Sequence, residues 1–180
     1  MYLNLRRRGV LGAAATLLSA LATRNSAWAE DVDLHSPDTI VALKAPAALP
    51  DMSLHTLAGA GTSLKAYFGK PMVLNFWATW CIPCVAELPE LDRLAATSDI
   101  TVLAVSADRT GATAVDPFLK KHPLTHAVVL LDPTSDAVHA AEVMGFPTTL
   151  IIDASGRLRG RLEGPAQWSV AAAEVRRLTA

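Results

Sequence analysis

The feature that most constrains this chain is a junction. Met72-Val73-Leu74-Asn75-Phe76-Trp77 is an apolar run of strand length after the breaker Gly69-Lys70-Pro71, and the only two cysteines, Cys81 and Cys84, follow close behind it. Such a run reads as a buried central strand. From Ile82 to Thr97, Val85, Leu88, Leu91 and Leu94 recur three apart, which keeps them near one face of a helix. Pro89 sits inside this helix, cannot donate to the carbonyl of Val85, and is expected to kink it. The two thiols are thus expected where a strand feeds the first turn of a helix.

The rest of the chain keeps that alternation. Thr101 to Val105 reads as a second strand, Ala112 to Lys121 as a helix, Ala127 to Leu131 as a third strand and Ser135 to Val143 as a short helix. Gly145-Phe146-Pro147 leads into a strand at Thr148 to Ile152, and Asp153-Ala154-Ser155-Gly156 turns the chain into Arg157 to Leu162. A last helix, Gln167 to Leu178, offers Val170, Ala173, Val175 and Leu178 to cover the sheet. Before all of these, Leu49 to Leu64 alternates around Gly59 and Gly61, as a short hairpin does. Strand and helix in turn argue for an α/β sheet.

Composition narrows the setting. With 51% apolar and 18% charged residues the chain has the means to bury a core. A formal net charge of −1 leaves no basic surplus for nucleic acid. Arg6-Arg7-Arg8, an apolar stretch from Val10 to Ala22, and Ala27-Trp28-Ala29 before Glu30-Asp31 have the three-part layout of an export signal. The apolar stretch is shorter than the ~18 to 20 residues of a membrane span, so cleavage after Ala29 is expected rather than anchoring. Residues 1–29 hold four arginines and no acid, so the mature chain keeps 12 basic groups against 17 acidic ones and is about five charges negative. Residues 30–47, with Pro37 and Pro46 and no clear period, read as a tether, and residues 48–180 as the working domain.

A Cys-x-x-Cys pair has three uses. As a staple it closes so small a loop that it removes little entropy from the unfolded chain. As a zinc site it needs two further ligands, and His122, His126 and His139 are irregularly spaced and read as solvent-facing, so no metal is expected. The third use is thiol-disulfide exchange. A thiolate at Cys81 is favoured by the helix N-terminus. Lowering a thiol pKa from about 8.5 to about 7 raises the thiolate fraction near neutral pH roughly fifteen-fold while nucleophilicity falls about six-fold, a net gain of about threefold. Cys84, a turn later and more buried, would resolve the mixed disulfide. Pro83 is tolerated because first-turn N–H groups lack intrahelical partners.

Glu87 lies three residues beyond Cys84, on the adjacent turn. It either takes the Cys84 proton or raises a thiol pKa by like-charge repulsion; on spacing alone it is equally an exposed helix acid. Asn75, on the strand below, cannot titrate.

Trp77-Ala78-Thr79-Trp80-Cys81-Ile82-Pro83-Cys84 together with Gly145-Phe146-Pro147-Thr148-Thr149 resembles the thioredoxin superfamily, and within it the exported TlpA/ResA/CcmG-type branch. The resemblance runs from about Leu49 to the C-terminus. Glu87 in Cys84-Val85-Ala86-Glu87-Leu88-Pro89 matches that branch's active-site glutamate, and Gly164-Pro165-Ala166-Gln167-Trp168 is similar to a segment of the TlpA group. Asn75 departs from cytosolic thioredoxins, which carry an aspartate there.

The resemblance implies a thioredoxin-like α/β fold, a central mixed sheet flanked by helices, with an N-terminal β-hairpin extension. It implies Cys81 and Cys84 as a redox-active disulfide with no other cofactor, Glu87 beside them, and Trp80, Pro83, Phe146 and Pro147 as substrate-binding residues. It also implies a cis peptide before Pro147, a form that costs an X-Pro bond only about 0.5 to 1 kcal/mol. The expected activity is that of a periplasmic, monomeric thiol:disulfide oxidoreductase serving cytochrome c biogenesis. It would reduce disulfides of apocytochrome c or copper-site proteins, with electrons from a membrane thiol transporter of the DsbD/CcdA type. The competing reading is a copper chaperone with both thiols as Cu(I) ligands, although such relatives space their cysteines one residue wider.

Overall fold

The computed structural model describes residues 40–180. The export signal expected over residues 1–29, and residues 30–39 of the expected tether, lie outside the described residues. From Val41 the expected tether is instead a strand. β1 (Val41–Ala48) pairs antiparallel with β8 (Arg157–Glu163), Val41 opposite Arg161 and Ala48 opposite Arg157. The register shifts between Ala42 and Ala47, so a strand interrupted in this way shows no clean alternation in the sequence.

Between them come β2 (Leu54–Thr56), β3 (Gly61–Thr62), a 3-10 turn (Leu64–Tyr67), β4 (Met72–Trp77), α1 (Ile82–Thr97), β5 (Thr101–Ser106), α2 (Ala112–Lys121), β6 (Val128–Leu131), α3 (Asp136–Ala140) and β7 (Thr148–Ile152); α4 (Trp168–Thr179) follows β8. One sheet takes the order β1-β8-β7-β4-β5-β6-β2-β3. β4, β5 and β6 run parallel, and the other neighbours are antiparallel. β2 and β3 pair around Gly59 and continue the sheet past β6.

The centre of the sheet is covered on both faces, which is why β4 reads as a continuous apolar run and is buried at all six positions. Its side chains alternate. Val73 and Trp77 join the core built with Leu88, Leu91, Val115, Trp168 and Val175 of α1, α2 and α4. Met72, Leu74 and Phe76 join a second core with Leu64, Ala137 and Val138. Period two puts Asn75 on the α1 side, beneath the helix that carries the cysteines.

Two helical faces differ in detail from the sequence reading. α1 runs through Pro89 to Thr97, and its buried stripe is Cys84, Glu87, Leu88, Leu91 and Leu94, with Val85 half-buried. In α4 the buried residues are Trp168, Ala172, Val175 and Leu178, whereas Val170 and Ala173 face solvent. Trp168 sets that phase, because burying the largest side chain of the helix outweighs burying a valine.

Candidate active site

Cys81 and Cys84 are joined by a disulfide with Cα atoms 5.3 Å apart. Cys81 is the N-cap of α1, and its Sγ accepts the backbone N–H of Cys84 at 3.3 Å, the part a serine oxygen plays at other helix starts. Pro83 follows within the first turn and faces solvent. Cys81 is 6% exposed and Cys84 0%, so of the two cysteines only Cys81 has any surface open to an incoming partner. A thiolate at Cys81 would receive that same N–H and the positive end of the helix.

Glu87 is not an exposed helix acid. It is buried, in the same stripe as Cys84, and three donors converge on its carboxylate. Asn75 Nδ2 donates to Oε1 at 2.8 Å; the Ala166 N–H and Trp168 Nε1 donate to Oε2 at 3.1 and 3.2 Å. Burial pushes the Glu87 pKa above the ordinary carboxylate value, and the nearby Glu90 adds to the rise, while the three hydrogen bonds oppose it. Asn75 Nδ2 also donates to Thr149 Oγ1 of β7 at 3.0 Å, and Asn75 Oδ1 is buried without a partner. Glu90 accepts the N–H groups of Trp168 and Ser169, so two acids of α1 hold the start of α4.

The Phe146–Pro147 peptide is cis. The Phe146 ring meets Trp80 edge-on with centroids 5.8 Å apart, which brings the 145–147 loop beside the dithiol segment. Trp80 and Ile82 flank Cys81 and are 68% and 84% exposed, an apolar margin around a buried sulfur. Trp80 also borders two clefts, one toward Arg109, His139 and Met144, the other toward Phe118, Lys121 and His122. The structure therefore gathers Trp80, Cys81, Pro83, Cys84 and Glu87 at the start of α1, with Phe146 and Pro147 alongside. His122, His126 and His139 face solvent.

Two anchoring residues escaped the sequence reading. Buried Asp108 accepts the Thr79 N–H and Thr79 Oγ1–H at 2.9 and 2.7 Å and the Ser106 hydroxyl at 2.8 Å, tying the turn before Cys81 to the end of β5. The signal was its position just past the carboxyl end of a parallel strand, where sites on such sheets gather. Arg161 donates to the carbonyls of Ala141 and Glu142 at 2.7 and 2.8 Å and pairs with Glu163, which in turn accepts Thr148 Oγ1 at 3.0 Å. It thereby holds the segment that leads to Phe146. Nothing local in β8 announces that role, because its acceptors lie about twenty residues away.

A cysteine pair capping a helix, above a buried carboxyl group and at the end of parallel strands, is the arrangement of the thioredoxin-like redox proteins. The chain belongs to the AhpC/TSA family, which it matches over residues 46–161. It is 36% identical over 111 residues to the thioredoxin-like protein YneN of Bacillus subtilis, covering 59% of this chain and 64% of that one. It is 34% identical over 118 residues to the thiol-disulfide oxidoreductase ResA of Geobacillus kaustophilus, covering 64% and 67%. Among solved structures, the exposed lipoprotein thioredoxin Etrx1 of Streptococcus pneumoniae superimposes with a TM-score of 0.62 at 28% identity, over 71% of this chain and 98% of that one. The chain thus spans about two thirds of the length of the curated relatives it matches.

Proposed function

We propose that this protein is an extracytoplasmic thiol:disulfide oxidoreductase that works as a reductant, with Cys81 the attacking and Cys84 the resolving thiol. The observation that carries the reading is the pairing of a helix-capping, marginally exposed Cys81 with a fully buried Cys84 one turn below the surface and Glu87 on the same buried stripe. Kinship to thiol-disulfide oxidoreductases and the export-signal pattern of residues 1–29 support it.

The Cys81 thiolate attacks one sulfur of a substrate disulfide, forming a mixed disulfide and expelling the other substrate sulfur as a thiolate, which takes a proton from water. Cys84 loses its proton to the Glu87 carboxylate and attacks Cys81 Sγ. The second substrate thiolate leaves and is protonated, and the Cys81–Cys84 disulfide remains. Two electrons have passed from dithiol to substrate. A membrane thiol transporter of the DsbD/CcdA type would return them, and apocytochrome c or a copper-site protein would be the substrate.

Replacing Cys84 with Ala tests this. The variant should hold mixed disulfides through Cys81 with exported cysteine-pair proteins, and Cys81→Ala/Cys84→Ala should hold none. Capture of no partner, together with failure of the reduced wild type to reduce a model disulfide, would end the proposal.

A further inference from the structure

Residues 40–180 carry 12 basic against 13 acidic side chains, yet the two clefts that border Trp80, next to Cys81, present cations. In one, bordered by Trp80, Met144 and Phe146, the exposed charged side chain is Arg109, and His139 also lines it. Asp108 also lines it, but that carboxylate is buried and spent on Thr79 and Ser106. In the other, bordered by Trp80, Ile82 and Phe118, the exposed charge is Lys121, and His122 stacks on Phe118 with centroids 4.8 Å apart. Glu142 and Asp116 are exposed nearby in sequence, but neither lines a cleft. Trp80 borders both, so the two clefts meet at the residue that precedes Cys81. At ≈ 520 and ≈ 470 Å³ they have room for side chains of an extended segment.

Resting on the oxidoreductase reading above, we propose that these clefts seat the residues on either side of the substrate's attacked cysteine. Arg109 in one and Lys121 in the other select segments that carry carboxylates at those positions. The chemistry makes the cations useful. An acidic substrate segment is repelled by the Cys81 thiolate, and acidic neighbours also raise the pKa of the substrate's leaving thiol, which slows its departure. A cation on each side offsets the repulsion where the segment docks and leaves it in force elsewhere, which is how charge sets specificity and encounter rate.

The test uses the reduced protein and three synthetic peptides, each with one internal Cys-x-x-Cys disulfide flanked on both sides by two Glu, two Gln or two Lys. Rates of peptide reduction are divided by those for dithiothreitol, a small neutral dithiol, to remove the intrinsic reactivity of each disulfide. The wild type should prefer the Glu peptide over the Gln peptide by about two- to fivefold per cation, a preference that shrinks as salt is raised. Arg109→Glu/Lys121→Glu should reverse the order and favour the Lys peptide. Equal normalised rates for the three peptides, or an order unchanged in the double variant, overturns the inference alone. Failure of the wild type to reduce even the Gln peptide overturns the oxidoreductase reading, and the inference with it.

Discussion

Trp168 and Glu87 are 81 positions apart in the chain, yet the indole Nε1 donates to the carboxyl Oε2 at 3.2 Å, both groups buried beneath the dithiol helix. The contact makes the C-terminal helix part of the site. Trp168 at its start and Ala166 just before it supply two of the three donors that hold the one buried carboxyl group of α1, and Asn75 of the central strand supplies the third.

Trp168→Phe keeps most of the buried ring and deletes the donor. A hydrogen bond to a charged group contributes about 1.5 to 3 kcal/mol, so urea unfolding should report a loss of that order. With one fewer donor to the anion, the Glu87 pKa rises further. The pH midpoint for resolution of the mixed disulfide, read by rapid acid quench, should move upward. A stability loss with no movement of that midpoint would separate Trp168 from the proton chemistry.

Glu87→Gln should change how stability depends on pH. The folded pKa lies above the unfolded value of 4.5, so the folded chain binds the proton more tightly than the unfolded one. The stability this contributes is complete below the unfolded pKa and is lost as pH rises through the folded pKa, at up to about 1.4 kcal/mol per pH unit. Glutamine removes that slope. Its amide can be met by a flip of Asn75, whose unpartnered Oδ1 would then accept it. Urea unfolding across acid to neutral pH should show the variant gaining on the wild type as pH rises; parallel profiles would contradict the assignment.

Asp108→Ala removes the acceptor of three hydrogen bonds and leaves the Thr79 N–H without its partner, a loss of about 2 to 4 kcal/mol. Thr79→Val removes only the hydroxyl. In a double-mutant cycle the two should couple by at least about 0.5 kcal/mol, since Thr79 Oγ1 and Asp108 Oδ1 are 2.7 Å apart. Additive losses would mean that the anchor does not act through Thr79.

The elements nearest the dithiol were legible because they obey a single period. β4 and α1 have the bounds their apolar runs announce, Met72–Trp77 and Ile82–Thr97. Burial of Glu87 was also within reach, since it falls three residues after Cys84 and four before Leu91, inside the buried stripe. Its surroundings were not, because Ala166 and Trp168 arrive from the start of α4 and the connection before it, whose docking depends on the whole sheet. Trp168 packs in the core, as its size leads one to expect, but its polar edge has a second task that size alone does not reveal. β1 was hidden by its irregular register, and Asp108 by distance, since it lies 29 residues from the turn it secures.

The reductive direction is the central claim, and the equilibrium potential of the Cys81–Cys84 pair against glutathione tests it most directly. Scored by the alkylated fraction of the two cysteines, it should fall near that of thioredoxin, about −270 mV. A value near that of the strong oxidant DsbA, about −120 mV, would mean that the pair delivers disulfides rather than removing them, and would contradict the account.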